Sequence, residues 1–92
     1  MALQKTFDHP YYDITITNAY WVIDKNDGIR GNEEELEITL NAYTSQAAVS
    51  KDGITPIYRL NFKYTPSGNV DIITQIYNYA KTFPILVGAT NV

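Results

Sequence analysis

A two-residue alternation of apolar and polar side chains recurs along this chain, and it constrains the possible folds more than any other feature. Between Glu33 and Tyr43 the apolar residues fall on every second position, namely Leu36, Ile38, Leu40 and Ala42. Side chains point alternately to the two faces of a β-strand, so this segment is predicted to be a strand with one buried face. The other face is expected to be solvated and carries Glu35, Glu37, Thr39, Asn41 and Tyr43.

Two further segments show the same alternation and are rich in β-branched and aromatic residues, as strands usually are. The first runs from Asp13 to Ile23, where strict alternation places Thr15, Thr17, Ala19, Trp21 and Ile23 on one face. The other runs from Ile57 to Thr65 and is apolar at Tyr58, Leu60, Phe62 and Tyr64. The connection of residues 44–55 is short for a helical crossover, so the last two strands are predicted to be antiparallel. Ala47–Val49 fits either a short turn of helix or a strand edge.

One amphipathic helix is predicted from Val70 to Thr82, because its apolar residues recur at spacings of three and four. The apolar stripe consists of Val70, Ile73, Ile76, Tyr77 and Ala80. Asn69 fits the N-cap, Asp71 suits the positive end of the helix dipole and Lys81 the negative end. Pro84 prevents the helix from continuing.

These elements predict an α+β fold in which one C-terminal helix covers a three-stranded antiparallel meander. The covered face is expected to consist of Leu36, Ile38, Leu40, Tyr58, Leu60 and Phe62. A chain of 92 residues has enough apolar side chains for one core, so residues 1–92 are predicted to form a single domain. Within it we expect an irregular N-terminal arm (1–10), a β-β-β-α core (11–82) and an apolar C-terminal tail (83–92).

The sequence contains no recognisable constellation for catalysis, and we predict no catalytic, cofactor-binding or metal-binding residues and no enzymatic activity. The only histidine, His9, follows Asp8 directly, and neighbouring side chains of an extended segment point in opposite directions. Asp24–Gly28 differs from a calcium loop because its glycine comes at the fifth position, so a turn is the simpler reading. The acidic run Glu33–Glu35 is interpreted as a solvated face.

Charge and hydropathy argue against two classes of partner. The net charge is −3, and the seven basic residues are scattered along the chain, whereas binding to a phosphate backbone requires clustered positive charge. No apolar stretch approaches the roughly 18 residues that a membrane-spanning helix needs. We therefore expect neither nucleic acid nor a membrane as a partner.

Protein surfaces remain, and the aromatic residues favour them, because tyrosine and tryptophan are enriched at interfaces. Trp21 lies on the predicted polar face and is the first candidate for an interface residue, followed by Tyr11 and Tyr12. The tail adds four apolar candidates, namely Phe83, Ile85, Leu86 and Val87. If these were solvated they would form an apolar patch, so they are expected either to pack on their own sheet or to dock on another subunit.

Several segments together resemble small proteins that are encoded among the virion structural genes of tailed bacteriophages. The resemblance extends from about Tyr12 to the end and is carried by Asn18-Ala19-Tyr20-Trp21, the charged strand that follows, Ile76–Pro84 and Gly88–Val92. It implies a repeated component of the tail, neck or capsid surface that is assembled in the host cytoplasm and contacts other copies of itself and other virion proteins. It implies no active site and no cofactor.

Two alternatives stay open at this point. One is a monomeric binding or inhibitory module that uses an aromatic sheet face on a host protein or a carbohydrate. The other is a small enzyme whose active site forms only between subunits.

Overall fold

A computed structural model describes residues 1–32, 34–51 and 53–92 of the chain. The protein has an α+β fold with a six-stranded antiparallel sheet and two helices. The strands are β1 (Leu3–Asp8), β2 (Thr15–Ile23), β3 (Ile29–Gly31), β4 (Leu36–Tyr43), β5 (Tyr58–Tyr64) and β6 (Thr90–Asn91). The helices are α1 (Gln46–Val49) and α2 (Ile72–Ala80). The α+β class is confirmed, whereas the three-stranded meander with a single helix is corrected to this larger sheet.

The sheet is arranged around β4, which pairs with β5 along one edge and with both β2 and β3 along the other. The loop Asp24–Gly28 separates β2 from β3, and the two strands continue each other beside the same partner. The Asp24 N–H donates to the Thr39 carbonyl at 3.0 Å, and the Thr39 N–H donates to the Gly28 carbonyl at 2.9 Å. The predicted turn therefore separates β2 from β3, and both strands pair along the same edge of β4. Glu33, where we predicted the next strand and an acidic run to begin, lies outside the described residues.

A β-bulge in β2 explains why strict alternation misplaced part of this strand. Lys5 pairs with Ala19 but Phe7 pairs with Ile16, so β2 holds one extra residue at this point. Asn18 takes up the irregularity with φ 51°, and its N–H donates to Thr6 Oγ1 at 2.9 Å. A bulge of this kind reverses the facing of the residues on its two sides. Ile16 consequently packs toward the same core as Ala19, although alternation put them on opposite faces.

The core lies between one face of the sheet and α2, and the predicted apolar face of β4 and β5 is part of it. Its fully buried large side chains are Leu3, Trp21, Ile38, Leu40, Ile76, Tyr77 and Leu86. Trp21 thus lies on the helix-covered face, not on the polar face where the sequence reading placed it. Its indole packs edge-on against Phe7 with ring centroids 4.9 Å apart.

Helix α2 is shorter than predicted and begins two residues later than the apolar pattern suggested. Asp71, not Asn69, is the N-cap, and its Oδ2 accepts from the Thr74 N–H at 3.2 Å. Val70 precedes the helix and is exposed. The hydroxyl of Tyr77 accepts from the Ile23 N–H at 2.9 Å, so a direct hydrogen bond joins the helix to the sheet.

Both chain ends belong to the folded body, which corrects the predicted irregular arm. Residues 3–8 form β1, which pairs with β2 on one side and with β6 on the other. Ala2 and Val92 exchange two backbone hydrogen bonds of 3.0 and 2.9 Å, which holds the two termini together. Between α2 and β6, Leu86 inserts into the core with no exposed surface. Leu86, with Ile85 and Ala89 against the same core, therefore packs on its own subunit, one of the two possibilities that the sequence left open, while Val87 stays exposed.

The second face of β4 is also partly covered, contrary to the expectation that it would be solvated. Thr39, Asn41 and Tyr43 are buried, while Glu37 is exposed. Thr39 donates to Asn61 Oδ1 at 2.7 Å, and Asn41 donates to Asp24 Oδ2 at 3.0 Å, so polar partners accompany this burial. The connection after β4 forms α1, capped by Ser45, whose hydroxyl accepts from the Ala48 N–H at 3.3 Å. Of the two forms considered for this connection, the short helix is the one adopted.

Candidate interaction site at the β1–β2 hairpin

The loop between β1 and β2 projects two tyrosines from a tightly bonded hairpin. The His9 N–H donates to the Ile14 carbonyl at 2.7 Å, and the Thr15 hydroxyl donates to Asp8 Oδ1 at 2.6 Å. Asp13 completes the turn with φ 50°, a left-handed conformation that aspartate adopts more readily than most residues. The loop therefore closes on hydrogen bonds at its base and presents Tyr11 and Tyr12 at its tip.

His9 connects this tip to Ile57, which directly precedes β5. Its ring is buried, and Nδ1 accepts from the Tyr11 N–H at 3.2 Å. An imidazole nitrogen that accepts is unprotonated, so Nε2 carries the hydrogen and donates to the Ile57 carbonyl at 2.7 Å. Both ring nitrogens are thus engaged in holding backbone. Asp8 bonds to Thr15 and does not pair with His9.

A chain of aromatic contacts connects the exposed tip to the core. The His9 ring lies 4.5 Å from that of Tyr12 and 5.4 Å from that of Tyr58, measured between centroids. Tyr58 in turn lies 5.8 Å from Phe7 and 6.0 Å from Trp21. Aromatic pairs at such separations add stabilisation beyond the area that they bury. The loop position is therefore determined by packing from below as well as by its own hydrogen bonds.

The two tip tyrosines are the most exposed aromatic side chains among the described residues. Tyr11 is 79% exposed and Tyr12 is 71% exposed. Beside them lies a shallow cleft of about 340 Å³, which Pro56, Tyr58 and Arg59 help to line. Ile14, in the same loop, is also exposed and adds apolar surface. Aromatic rings on a fixed loop next to a cation form a surface suited to contacts with protein or with sugar rings.

The other predicted interface residues are distributed differently. Trp21 and Leu86 are fully buried, so their side chains do not reach the surface of the folded chain. Phe83 and Ile85 are half-buried, and Val87 is 54% exposed. Ile85 lines a separate depression together with Lys5 and Pro84, along the edge of β1. The structure therefore brings Tyr11 and Tyr12 together and leaves the tail residues elsewhere.

Sequence reasoning missed the contribution of three residues to this site, namely His9, Tyr58 and Arg59. His9 was considered only as a catalytic group, and Tyr58 only as part of the covered sheet face. Their meeting depends on the hairpin reaching across to the start of β5, which is distant in sequence. Local alternation contains no information about such a contact.

Hydrogen bonds to the Asp24 carboxylate stabilise the loop between β2 and β3. Hydrogen bonds from the Asn26 N–H and from the side chain of Asn41 lower the pKa of Asp24 below its ordinary value. That carboxylate thereby caps the turn of the Asp24–Gly28 loop. Within the described parts of the chain, no three His, Cys, Asp or Glu side chains are grouped as a metal site would require.

No family model, curated protein or solved structure matches the chain. Among the helices that the structure describes, none is long and apolar enough to cross a membrane.

Proposed function

We propose that this protein is a non-enzymatic structural subunit of a tailed-bacteriophage virion, in the tail, the neck or the capsid surface, and that the tyrosine hairpin contacts a neighbouring protein. The observation that carries the contact role is the combination of exposure and anchoring at Tyr11 and Tyr12. Both rings face outward, yet the loop beneath them is held by His9 and by the base of the hairpin. The virion context rests on the resemblance described above.

Such a loop is well suited to binding because little order has to be created when a partner arrives. Each flexible side chain or loop that becomes fixed on binding reduces affinity, and a preformed loop avoids much of that cost. Tyrosine also offers a large contact area with only two rotatable side-chain bonds. Residues of this type carry a disproportionate share of the binding energy at protein interfaces.

The proposed partners are other copies of the chain and other virion proteins, with assembly in the host cytoplasm. The exposed Val87 and the half-buried Phe83 and Ile85 belong to a second, smaller contact surface in this proposal. Trp21 and Leu86 support the subunit from inside instead of contacting the neighbour.

Immunoelectron microscopy of particles that contain either the native chain or a Tyr11→Ala/Tyr12→Ala variant tests the proposal. Both side chains are exposed, so the variant should stay folded with a slightly lower melting temperature, from loss of the ring contacts with His9, while its incorporation into particles falls sharply. Val92→Ala removes exposed apolar surface away from the hairpin and should be incorporated normally. Absence of the native chain from virions would refute the virion assignment. Normal incorporation of the double variant would refute the role of the hairpin.

A second candidate is a monomeric module that binds a carbohydrate or a host protein. The cleft between Tyr12, Tyr58 and Arg59 favours it, because aromatic faces beside a cation suit sugar rings as well as proteins. Light scattering and glycan-array binding distinguish the two candidates. A chain that stays monomeric, is absent from particles and binds a glycan through Tyr12 would support this second role.

A further inference from the structure

Strand β5 leaves one of its two edges open. Along one edge it pairs with β4 over its full length, from Tyr58 opposite Ala42 to Tyr64 opposite Leu36. Along the other edge no strand of the described residues pairs with it. Open edges present backbone N–H and C=O groups that another extended chain can pair with. At its start, Tyr58 and Arg59 also line the cleft beside the tyrosine hairpin, whereas Leu60–Tyr64 lie beyond that cleft.

Charged side chains form a row across the polar face of the sheet that ends at this edge. Arg30 on β3 lies opposite Glu37 on β4, with Nη2 3.3 Å from Oε2, and Glu37 lies opposite Lys63 on β5. The charges along the row alternate as positive, negative and positive. Lys63 also lies 3.6 Å from Glu35, measured from Nζ to Oε1. The row therefore ends at Lys63, next to the open edge. A side chain of an added strand would lie beside this cation.

Arg59 extends the positive character of the edge on the same face. It lies opposite Asn41, and Asn61 separates it from Lys63 along the strand. Both basic side chains are exposed. Because opposite charges across neighbouring strands stabilise pairing, an added strand with acidic side chains facing Lys63 and Arg59 would be favoured at this edge.

The other face of β5 is apolar and incompletely covered. Tyr58, Leu60, Phe62 and Tyr64 are only half-buried, whereas Ile38 and Leu40 beside them on β4 are fully buried. From α2, Tyr79 approaches the edge, with its ring centroid 5.7 Å from Phe62 and 5.0 Å from Tyr64. Apolar side chains of an added strand would extend this partly exposed row.

We propose that β5 accepts an extended segment of another polypeptide as an additional strand of the sheet. The segment alternates acidic side chains, which face Lys63 and Arg59, with apolar side chains on the side of Tyr79. A second copy of β5 does not fit this description. Antiparallel self-pairing centred on Asn61 would set Arg59 opposite Lys63 of the other copy, and like charges in that position destabilise a pair.

Synthetic peptides test the proposal directly on the full-length chain. One short peptide alternates valine with polar residues and carries glutamates spaced to face Lys63 and Arg59, and its matched counterpart carries lysines instead. We expect the glutamate peptide to bind roughly tenfold more tightly, since opposite charges stabilise and like charges destabilise a strand pair. Binding should slow amide hydrogen exchange, followed by NMR, within Tyr58–Tyr64 and not in β1.

Charge reversal provides the specificity control. Arg59→Glu should weaken the glutamate peptide and strengthen the lysine peptide by several-fold, whereas Lys25→Glu, in the loop on the other side of β4, should change neither. Equal affinity for the two peptides, protection at β1 instead of β5, or no binding by either peptide would overturn the proposal. Self-association of the chain through β5 would also overturn the proposal, because Lys63 and Arg59 would then not select an acidic partner.

Discussion

Replacement of Tyr77 by phenylalanine isolates the hydrogen bond that joins α2 to the sheet. The ring is fully buried and the substitution keeps it, so the packing changes little. What is lost is the acceptor for the Ile23 N–H. Pairing of β1 with β2 begins at Leu3 opposite Trp21, so Ile23 lies past the end of that pairing and has no replacement partner there.

Leaving a buried N–H without a partner costs about 1–3 kcal/mol of the free energy of unfolding. In a domain of this size a loss of about 2 kcal/mol lowers the melting temperature by roughly 10 °C. Thermal and urea unfolding of the native chain and of Tyr77→Phe measure this difference. Tyr79→Phe on the same helix is the control and should shift stability by less than about 0.5 kcal/mol. Equal stability of native chain and Tyr77→Phe would refute the claim that this bond joins helix and sheet.

The same substitution has a pH signature. Burial raises the pKa of the Tyr77 hydroxyl above its ordinary value of 10.0, so the folded state favours the protonated form. A group whose pKa is raised on folding contributes its full stabilisation of the folded state at pH values below its unfolded-state pKa. This stabilisation is lost as the pH rises through the folded-state pKa. The native chain should therefore lose stability above about pH 10, and Tyr77→Phe should lose less.

Three further predictions follow from buried or constrained positions. Trp21→Ala should lower the free energy of unfolding in urea by about 3–5 kcal/mol. Trp21→Phe should lower it less, because the indole N–H that it removes has no partner among the described residues. A loss below about 1 kcal/mol for Trp21→Ala would contradict burial of this ring. Gly28→Ala should cost about 1–3 kcal/mol and speed amide exchange at Thr39, because its Cβ would lie 2.2 Å from the Asp24 carbonyl oxygen; unchanged exchange would refute the loop geometry. The lowered pKa of Asp24 stabilises the fold above the ordinary value of 3.8, and this is lost as the pH falls through the folded-state pKa. Asp24→Asn should therefore make the melting temperature depend less on pH in acid. A pH dependence equal to that of the native chain would contradict the lowered pKa of Asp24.

The sequence predicted the parts of the fold that depend on local periodicity. Alternation located β4 and β5 and their shared apolar face, and the spacing of Ile76, Tyr77 and Ala80 identified the buried side of α2. These patterns work because a strand or a helix repeats its orientation at a fixed interval.

The errors arose where long-range contacts override the local pattern. The bulge at Asn18 changed the facing of β2, so Trp21 was expected on the polar surface and lies in the core. Residues 1–10 show no sustained period, yet β1 forms because β2 and β6 pair with it on both sides. Tyr11 and Tyr12 were identified as interface candidates from residue type alone. Their support by His9 and Tyr58 depends on a contact between distant segments.

Chemical footprinting of tyrosines tests the central claim most directly. Tyr11 and Tyr12 should react readily with a tyrosine-selective reagent in the isolated chain, and they should become protected in the assembled particle. Mass spectrometry of the two samples measures the change at each residue, with the buried Tyr77 as an internal reference that stays unreactive in both. Protection at the hairpin tip is the result that we predict. Equal reactivity of Tyr11 and Tyr12 in the free and the assembled protein would contradict the account.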